Sequence, residues 1–465
     1  MHRKRKILIN CLDVIGESMA GPAIRSWEFA TQLSKNYNVV VLSPNKTELK
    51  SKYFELKQYS MKTFEEEIKN ADILISQTIR QKMAKLAKKY NTRIILDAYD
   101  PITIEALEAN SHDKFEARKA VNKILLMEQS SSFFFADSVI CASEKQRDFW
   151  LGVLSSMNKI NPAVYDKDNS LRNIIDVVPF GLSSTPPLIS GSHILRKKFG
   201  LKSTDFVLLW GGGIWNWFDP MSLIEAVAEI SKKLPVKLVF MGIDHPNKNI
   251  PRMPMVNKAI EKAKELGVLD ESVFFNEGWV PYKQRQEFLL DADAGVSMHY
   301  DHLETRFSFR TRILDYIWAS LPIIATQGDS FAEIIEVQNL GEVVEYRESK
   351  SISTAIEKLI VNKGYYKQTK KNLTLAQKDF YWEECTKPIE NMVEYWAKNK
   401  PEKKVSINQA MLSISGLYGG QVVQAKKLLN KYFGIRSNIS RLGNIYRSQN
   451  IIRRSNVNRI MRIKK

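Results

Sequence analysis

The segment from His299 to Thr326, HYDHLETRFSFRTRILDYIWASLPIIAT, holds the densest set of chemically capable side chains in the chain. Arg306, Arg310 and Arg312 crowd one short polar stretch beside Glu304 and Asp315. Guanidiniums grouped this tightly suit a diphosphate, because each presents a planar fork of N–H donors and stays charged. Beside a departing diphosphate they would offset negative charge as it develops. The competing reading is a set of surface ion pairs, but a solvated face rarely concentrates arginines just beyond a strand end. His299, Asp301, His302 and Glu304 also stand close together, in an HxDHxE spacing that matches no established metal site. They are read as hydrogen-bonding groups for a sugar or phosphate, with no metal expected.

Two glycine-bearing loops could bring backbone close to a ligand. In LLWGGGIWNWFDP, Gly211, Gly212 and Gly213 follow an apolar run, and Gly212 and Gly213 are expected on a diphosphate. Asp219 suits the N-cap of the next helix and Pro220 its first position. Trp215 and Trp217 either stack on a sugar or base, or pack between loops. Earlier in the chain, GESMAGPAIRSWEFATQL places Gly16 and Gly21 before a helical pattern that carries Arg25. This second loop does not fit GxGxxG and is compatible with an ordinary strand-to-helix turn.

The elements that must position these residues follow from hydrophobic pattern. Short β-branched runs begin at Lys6, Asn38, Asp72, Arg93, Ser138 and Ile174. After the Ser/Pro-rich stretch at 183–187 the rhythm restarts at Val207, Val236, Ser272, Ala294, Pro322 and Gly341. Runs this apolar predict strands covered on both faces, as in parallel sheets, with amphipathic helices between them. The expected fold class is α/β: two Rossmann-like, doubly wound domains facing each other across a cleft, plus a basic helical C-terminal extension. The expected divisions are residues 1–183, 184–378, a returning helix over 379–400, and the extension over 401–465.

Composition limits the function classes. The chain has 465 residues, 44% of them hydrophobic, which fits two ordered domains and an appendage. Its three cysteines, Cys11, Cys141 and Cys385, are far apart and form no CxxC, so a reducing, cytoplasmic compartment is expected. The basic start MHRKRKILINCL is interrupted by Asp13, and a buried first strand explains it better than a leader. Of the net charge of +18, residues 401–465 supply +13, from seven lysines and seven arginines against Glu402 alone. The body is therefore nearly balanced, which speaks against a nucleic-acid partner. In the tail, QVVQAKKLLNKYFGI sets apolar residues at helical spacing beside lysines, a pattern suited to an anionic membrane surface on the inner face of the plasma membrane.

In order along residues 6–397, the blocks GPAIRSWEFATQL, DAYDPITIEALE, ADSVICASEKQRDFW, VVPFGL, LLWGGGIWNWFDP, FFNEGWVPY and HLETRFSFRTRILDYIWASLPIIAT resemble the retaining GT-B glycosyltransferases of family 4. The resemblance implies an amino-terminal domain that mainly receives the acceptor and a carboxy-terminal domain that holds the nucleotide sugar. It also implies a final helix, DFYWEECTKPIENMVEYW, that crosses back to the first domain. LDYIWASLPIIAT is similar to the family's LEAMAxGxPVVA, which puts Asp315 where a Glu normally holds the ribose. The family's earlier Glu would fall on Phe307, with Glu304 as a substitute if the loop is three residues longer. The family's Arg and Lys after the second-domain glycines are missing, so Arg306, Arg310 or Arg312 is expected to replace that charge. By the same resemblance Gly278 and Trp279 frame the nucleobase. Gly21, Arg25, Asp97 and Asp100 fall on the acceptor side, where Asp97 and Asp100 either touch acceptor hydroxyls or form the turn before Pro101.

The expected activity is transfer of a sugar from a nucleoside diphosphate sugar to a hydroxyl of a glycan or lipid-linked acceptor, with retention of configuration and no metal or other cofactor. Bacterial surface polysaccharide synthesis is the usual setting for the family. An epimerase or hydrolase of the same fold would turn over sugar nucleotide without acceptor. A non-enzymatic basic adaptor for an anionic polymer is disfavoured, because the charge lies outside the motif-bearing body.

Overall fold

The computed structural model describes residues 4–188, 190–244 and 252–399. These form two compact units. One comprises the start of the chain to Gly16, Ala20–Val178 and the segment from Thr386; the other comprises Glu17–Met19 and Pro179–Cys385. The extension over 401–465, with its expected helix and membrane contact, lies outside the described residues.

The first unit carries a seven-stranded parallel sheet in the order β3-β2-β1-β4-β5-β6-β7. Its strands are β1 Lys6–Asn10, β2 Asn38–Ser43, β3 Glu55–Gln58, β4 Ile73–Ser76, β5 Arg93–Asp97, β6 Ser138–Cys141 and β7 Ile175–Val177. Register is set by pairs such as Ile7 opposite Val39 on one side and Ile73 on the other. Ile7, Leu8, Leu74 and Ile95 are fully buried, as strands sandwiched between helices must be. The apolar runs foretold every strand here except β3, whose sequence ELKQ is half-exposed at the sheet edge and has no apolar run to detect. The helix Lys387–Lys398 belongs to this unit: its Trp396 donates from Nε1 to Ser138 Oγ at 2.8 Å, and Arg93 stacks over its ring at 4.2 Å.

The second unit has six parallel strands in the order β10-β9-β8-β11-β12-β13. They are β8 Phe206–Trp210, β9 Val236–Phe240, β10 Val273–Phe275, β11 Ala294–Ser297, β12 Ile323–Thr326 and β13 Gly341–Val344. All six were legible in the sequence from their apolar runs, which are fully buried in β8, β11 and β12 and only partly so in the edge strand β13.

In both sheets the strand order reverses direction beside the first strand, between β1 and β4 and between β8 and β11. Helical connections depart to opposite faces at such a point and leave a crevice outside the carboxyl ends of the two strands. In the second unit those ends carry the triple glycine and His299. All three cysteines are buried, and none forms a disulfide among the described residues. Among the described residues no helix is long and apolar enough to cross a membrane.

Candidate functional site

The three glycines after β8 do three different things. A Cβ on Gly211 would lie 3.2–3.3 Å from the Tyr316 ring and hydroxyl, and the Gly211 amide donates to that hydroxyl at 2.8 Å. Tyr316 in turn donates toward the carbonyls of Leu209 and Val296, at 3.0 and 2.8 Å, so it clips β8 to β11. Gly212 has φ +78°, a left-handed conformation that favours glycine, and a Cβ there would meet open space. A Cβ on Gly213 would come within 3.3 Å of the Trp279 ring. Trp279 follows Gly278 (φ +79°), whose carbonyl accepts the Ile243 amide at 3.2 Å, so the loops after β9 and β10 are tied together under that ring. Trp215 and Trp217 stack on each other, with centroids 5.6 Å apart and planes at 8°. Asp219 caps the next helix by accepting the Ser222 amide at 3.0 Å, and Pro220 opens it.

The arginines that look alike in sequence sit in three unlike environments. Arg306 is exposed on the short helix Leu303–Phe307. Arg310 is buried and forms a fork with Glu304, donating to Oε1 at 2.9 Å and Oε2 at 2.7 Å, with Asp329 3.9 Å from its Nε. Arg312 lies nine-tenths buried between aromatic rings, 4.8 Å over Trp210 and 4.3 Å over Phe218. Its Nη2 donates to the Gly213 carbonyl at 3.0 Å. Its buried Nη1 finds no acceptor among the described residues. Burial pushes its pKa down to about 10, and the nearby charge of Arg310 adds to the shift.

His299, just beyond β11, is fully buried with Nε2 3.2 Å from Asp329 Oδ2. Burial holds its pKa below the ordinary value, the Asp329 hydrogen bond opposing. The neutral ring therefore donates from Nε2, which leaves Nδ1 as a buried acceptor without a partner among the described residues. Asp329 also caps the helix Ser330–Gln338, accepting the amides of Phe331 and Ala332 at 2.8 and 2.9 Å. His302 bridges the Trp217 carbonyl and the Thr305 amide, at 3.2 and 3.3 Å. Among the described residues no three His, Cys, Asp or Glu side chains are grouped to hold a metal.

Asp315 is one-third exposed on the helix Thr311–Trp318 and accepts Arg285 Nε at 3.0 Å. Arg285 is held in turn by the Tyr282 carbonyl at 2.9 Å and by the rings of Tyr282 and Trp318, at 3.7 and 4.7 Å. Arg285 and Asp329 were not among the residues singled out from sequence. The signals available were an arginine one turn beyond GWVPY and an N-capping Gly-Asp-Ser after PIIAT.

On the first unit, Gly21 opens the helix Gly21–Leu33, whose Arg25 is fully buried. Arg25 donates from Nε and Nη2 to both oxygens of Asp97, at 2.9–3.1 Å, and from Nη2 to the Val178 carbonyl at 2.8 Å. Phe29 and Tyr99 stack on its guanidinium, at 4.4 and 5.0 Å. Asp97 ends β5, and the Asp100 carbonyl accepts the Ile102 amide at 2.8 Å in the following turn.

Residues 192–375 match the family model described as Glycosyl transferases group 1, so the match lies within the second unit. No curated protein matches the chain by sequence. Solved structures are similar over both units. Sucrose-phosphate synthase from Thermosynechococcus elongatus aligns at TM-score 0.61 and 14% identity over 85% of this chain and 100% of that one. HepE of Anabaena, in complex with UDP and glucose, aligns at 0.60 and 14% over 84% and 100%. WaaG, a glycosyltransferase involved in lipopolysaccharide biosynthesis, aligns at 0.55 and 18% over 83% and 98%. At these identities the likeness is one of fold, and the fold is GT-B. The family model and the fold together support a glycosyltransferase.

Proposed function

We propose that this protein is a retaining glycosyltransferase of family 4 that moves a hexosyl group from a nucleoside diphosphate sugar to a hydroxyl of a glycan or lipid-linked acceptor. The observation that carries the reading lies at the reversal point of the second sheet. There an open left-handed glycine, the Trp279 ring and a buried arginine meet within the span matched by the glycosyl transferases model. Departure of the diphosphate leaves negative charge that the arginine side of this loop stabilises. Asp315 takes the ribose, Gly278 and Trp279 frame the base, and His299 Nδ1 accepts a sugar hydroxyl. A leaving-group oxygen takes the acceptor proton, so the reaction runs without a metal or a dedicated base. The acceptor binds the first unit, around Gly21 and Asp100.

The protein is proposed to work in the cytoplasm in surface polysaccharide assembly, with its basic extension on an anionic membrane. HepE is described with UDP and glucose, which makes uridine diphosphate sugars the first to try. Thermal stabilisation by a panel of UDP-, GDP-, ADP- and dTDP-sugars tests the donor class. Turnover of the stabilising sugar nucleotide without any acceptor would replace transfer by epimerisation or hydrolysis. Stabilisation by none of them would remove the reading. Vesicle flotation tests the extension: the full chain should float with anionic but not neutral liposomes and release in high salt, and a chain ending at Lys400 should stay in solution.

A further inference from the structure

The sequence presents three arginines as interchangeable candidates for one anion contact, and the structure separates them. Arg306 is exposed and adaptable. Arg310 already has its counter-charge, because both Glu304 oxygens receive its fork and Asp329 lies beyond. Arg312 alone is a buried cation that forms no ion pair among the described residues. Its surroundings are two aromatic rings, one carbonyl, the nearby Tyr316, and the like charge of Arg310.

Burying a charge without a partner is among the more costly things a fold can do. The Gly213 carbonyl and the faces of Trp210 and Phe218 offset only part of that cost. A chain under selection for stability alone would place an apolar side chain of similar length here. Resting on the sugar-nucleotide reading above, we infer that Arg312 is the residue that binds the diphosphate, through Nη1. Arg310 then is a positioning residue, whose fork with Glu304 pins the helix Leu303–Phe307.

Arg312 has a second duty that follows from the same hydrogen bonds. By donating from Nη2 to the Gly213 carbonyl it fixes the Gly213–Ile214 peptide, one residue beyond Gly212, the glycine whose Cβ side is open. A diphosphate entering beside Gly212 would therefore meet a backbone already oriented by the cation that binds it.

The inference predicts opposite behaviour for two neighbouring substitutions in the full-length chain. Arg312→Met replaces the unpaired cation by an apolar chain of similar length between Trp210 and Phe218. Its unliganded melting point should equal or exceed that of the unsubstituted protein. Its stabilisation by inorganic pyrophosphate should vanish, and its affinity for the best nucleoside diphosphate should fall roughly 10- to 100-fold, the loss of one charged hydrogen bond. Arg310→Met strands Glu304 and should lower the unliganded melting point markedly.

A lower unliganded melting point for Arg312→Met, matching that of Arg310→Met, would make Arg312 structural and overturn the inference. So would a pyrophosphate response that both Arg312→Met and the unsubstituted chain share, because that response would come from cations elsewhere, such as those of residues 401–465. If the unsubstituted chain answers to no pyrophosphate and no nucleoside diphosphate, the sugar-nucleotide reading falls along with the inference. If it binds a nucleoside diphosphate that Arg312→Met binds equally well, only the inference falls.

Discussion

Arg25 in the first unit and Arg312 in the second are both buried arginines near the carboxyl ends of a parallel sheet, yet they are spent differently. Arg25 is enclosed completely: two carboxylate oxygens, one carbonyl and two aromatic faces surround its guanidinium. Arg312 has aromatic faces and a carbonyl of the same kinds, but no carboxylate and one idle N–H group. In the first unit the chain supplies the counter-charge itself, so Arg25 and Asp97 lock the helix Gly21–Leu33 to β5. In the second the counter-charge is left for a ligand. A buried ion with its partner in place holds the fold together, and one without a partner marks where something else must bind. The first unit has its own instance of the second kind. Asp13, after β1, is 5% exposed and accepts the Val14 amide at 2.8 Å but forms no ion pair among the described residues. Burial pushes its pKa up to about 6.

The largest effect expected from this contrast is at Asp97. Asp97→Ala leaves Arg25 as a fully buried, unpaired cation and should cost about 3–5 kcal/mol in urea unfolding, against no loss for Arg312→Met. A cost for Asp97→Ala below that of an ordinary surface substitution would mean that the two sites are not distinguished by pairing.

Asp13 sharpens the comparison through pH. Its folded pKa lies above its unfolded one, so its favourable contribution is complete below about pH 4 and is lost as pH rises through about 6. Asp13→Asn escapes that loss. Its stability advantage over the unsubstituted protein should be absent near pH 4 and grow to roughly 2–3 kcal/mol by pH 7, taking about 1.4 kcal/mol per pKa unit. Unfolding midpoints at pH 4, 5.5 and 7 give the trend, and a flat difference would mean that Asp13 has a partner in solution.

The pair Arg285–Asp315 is the intermediate case, half in water, with side chains 13% and 33% exposed. Asp315→Ala should leave the fold intact and weaken donor binding by about 1.5–3 kcal/mol by calorimetry, since the proposed contact is a charged hydrogen bond to ribose. Unchanged donor affinity in a folded variant would remove Asp315 from the site.

The smallest effect belongs to Arg285 itself. Arg285→Met should change unfolding free energy by less than about 1 kcal/mol, as is usual for pairs reached by solvent. Its measurable consequence is a weaker donor complex, because Asp315 loses the group that orients it. A large stability loss with donor affinity intact would instead move this pair into the structural class with Arg25 and Asp97.

Much of this molecule was legible before any coordinates. Strands covered on both faces must be apolar throughout, and the part-buried β7 and β13 still carry β-branched residues, so only the polar edge strand ELKQ escaped. Local rules also carried the Asp219 cap with its proline, because both depend on residues within a few positions of each other. The reactive segment from His299 to Thr326 could likewise be found as a cluster. What its members do was not legible. Arg310 and Arg312 are two residues apart and chemically identical, and they differ only in what the tertiary structure brings to them: Glu304 and Asp329 to one, the Gly213 carbonyl and two rings to the other. The pairs Arg25–Asp97, Arg285–Asp315 and His299–Asp329 span 72, 30 and 30 residues. Sequence determines which charges exist and which strands must be buried, since propensity and periodicity act over a few residues. Whether a buried charge meets its partner is decided by strand order and loop packing, which bring distant residues to one sheet edge.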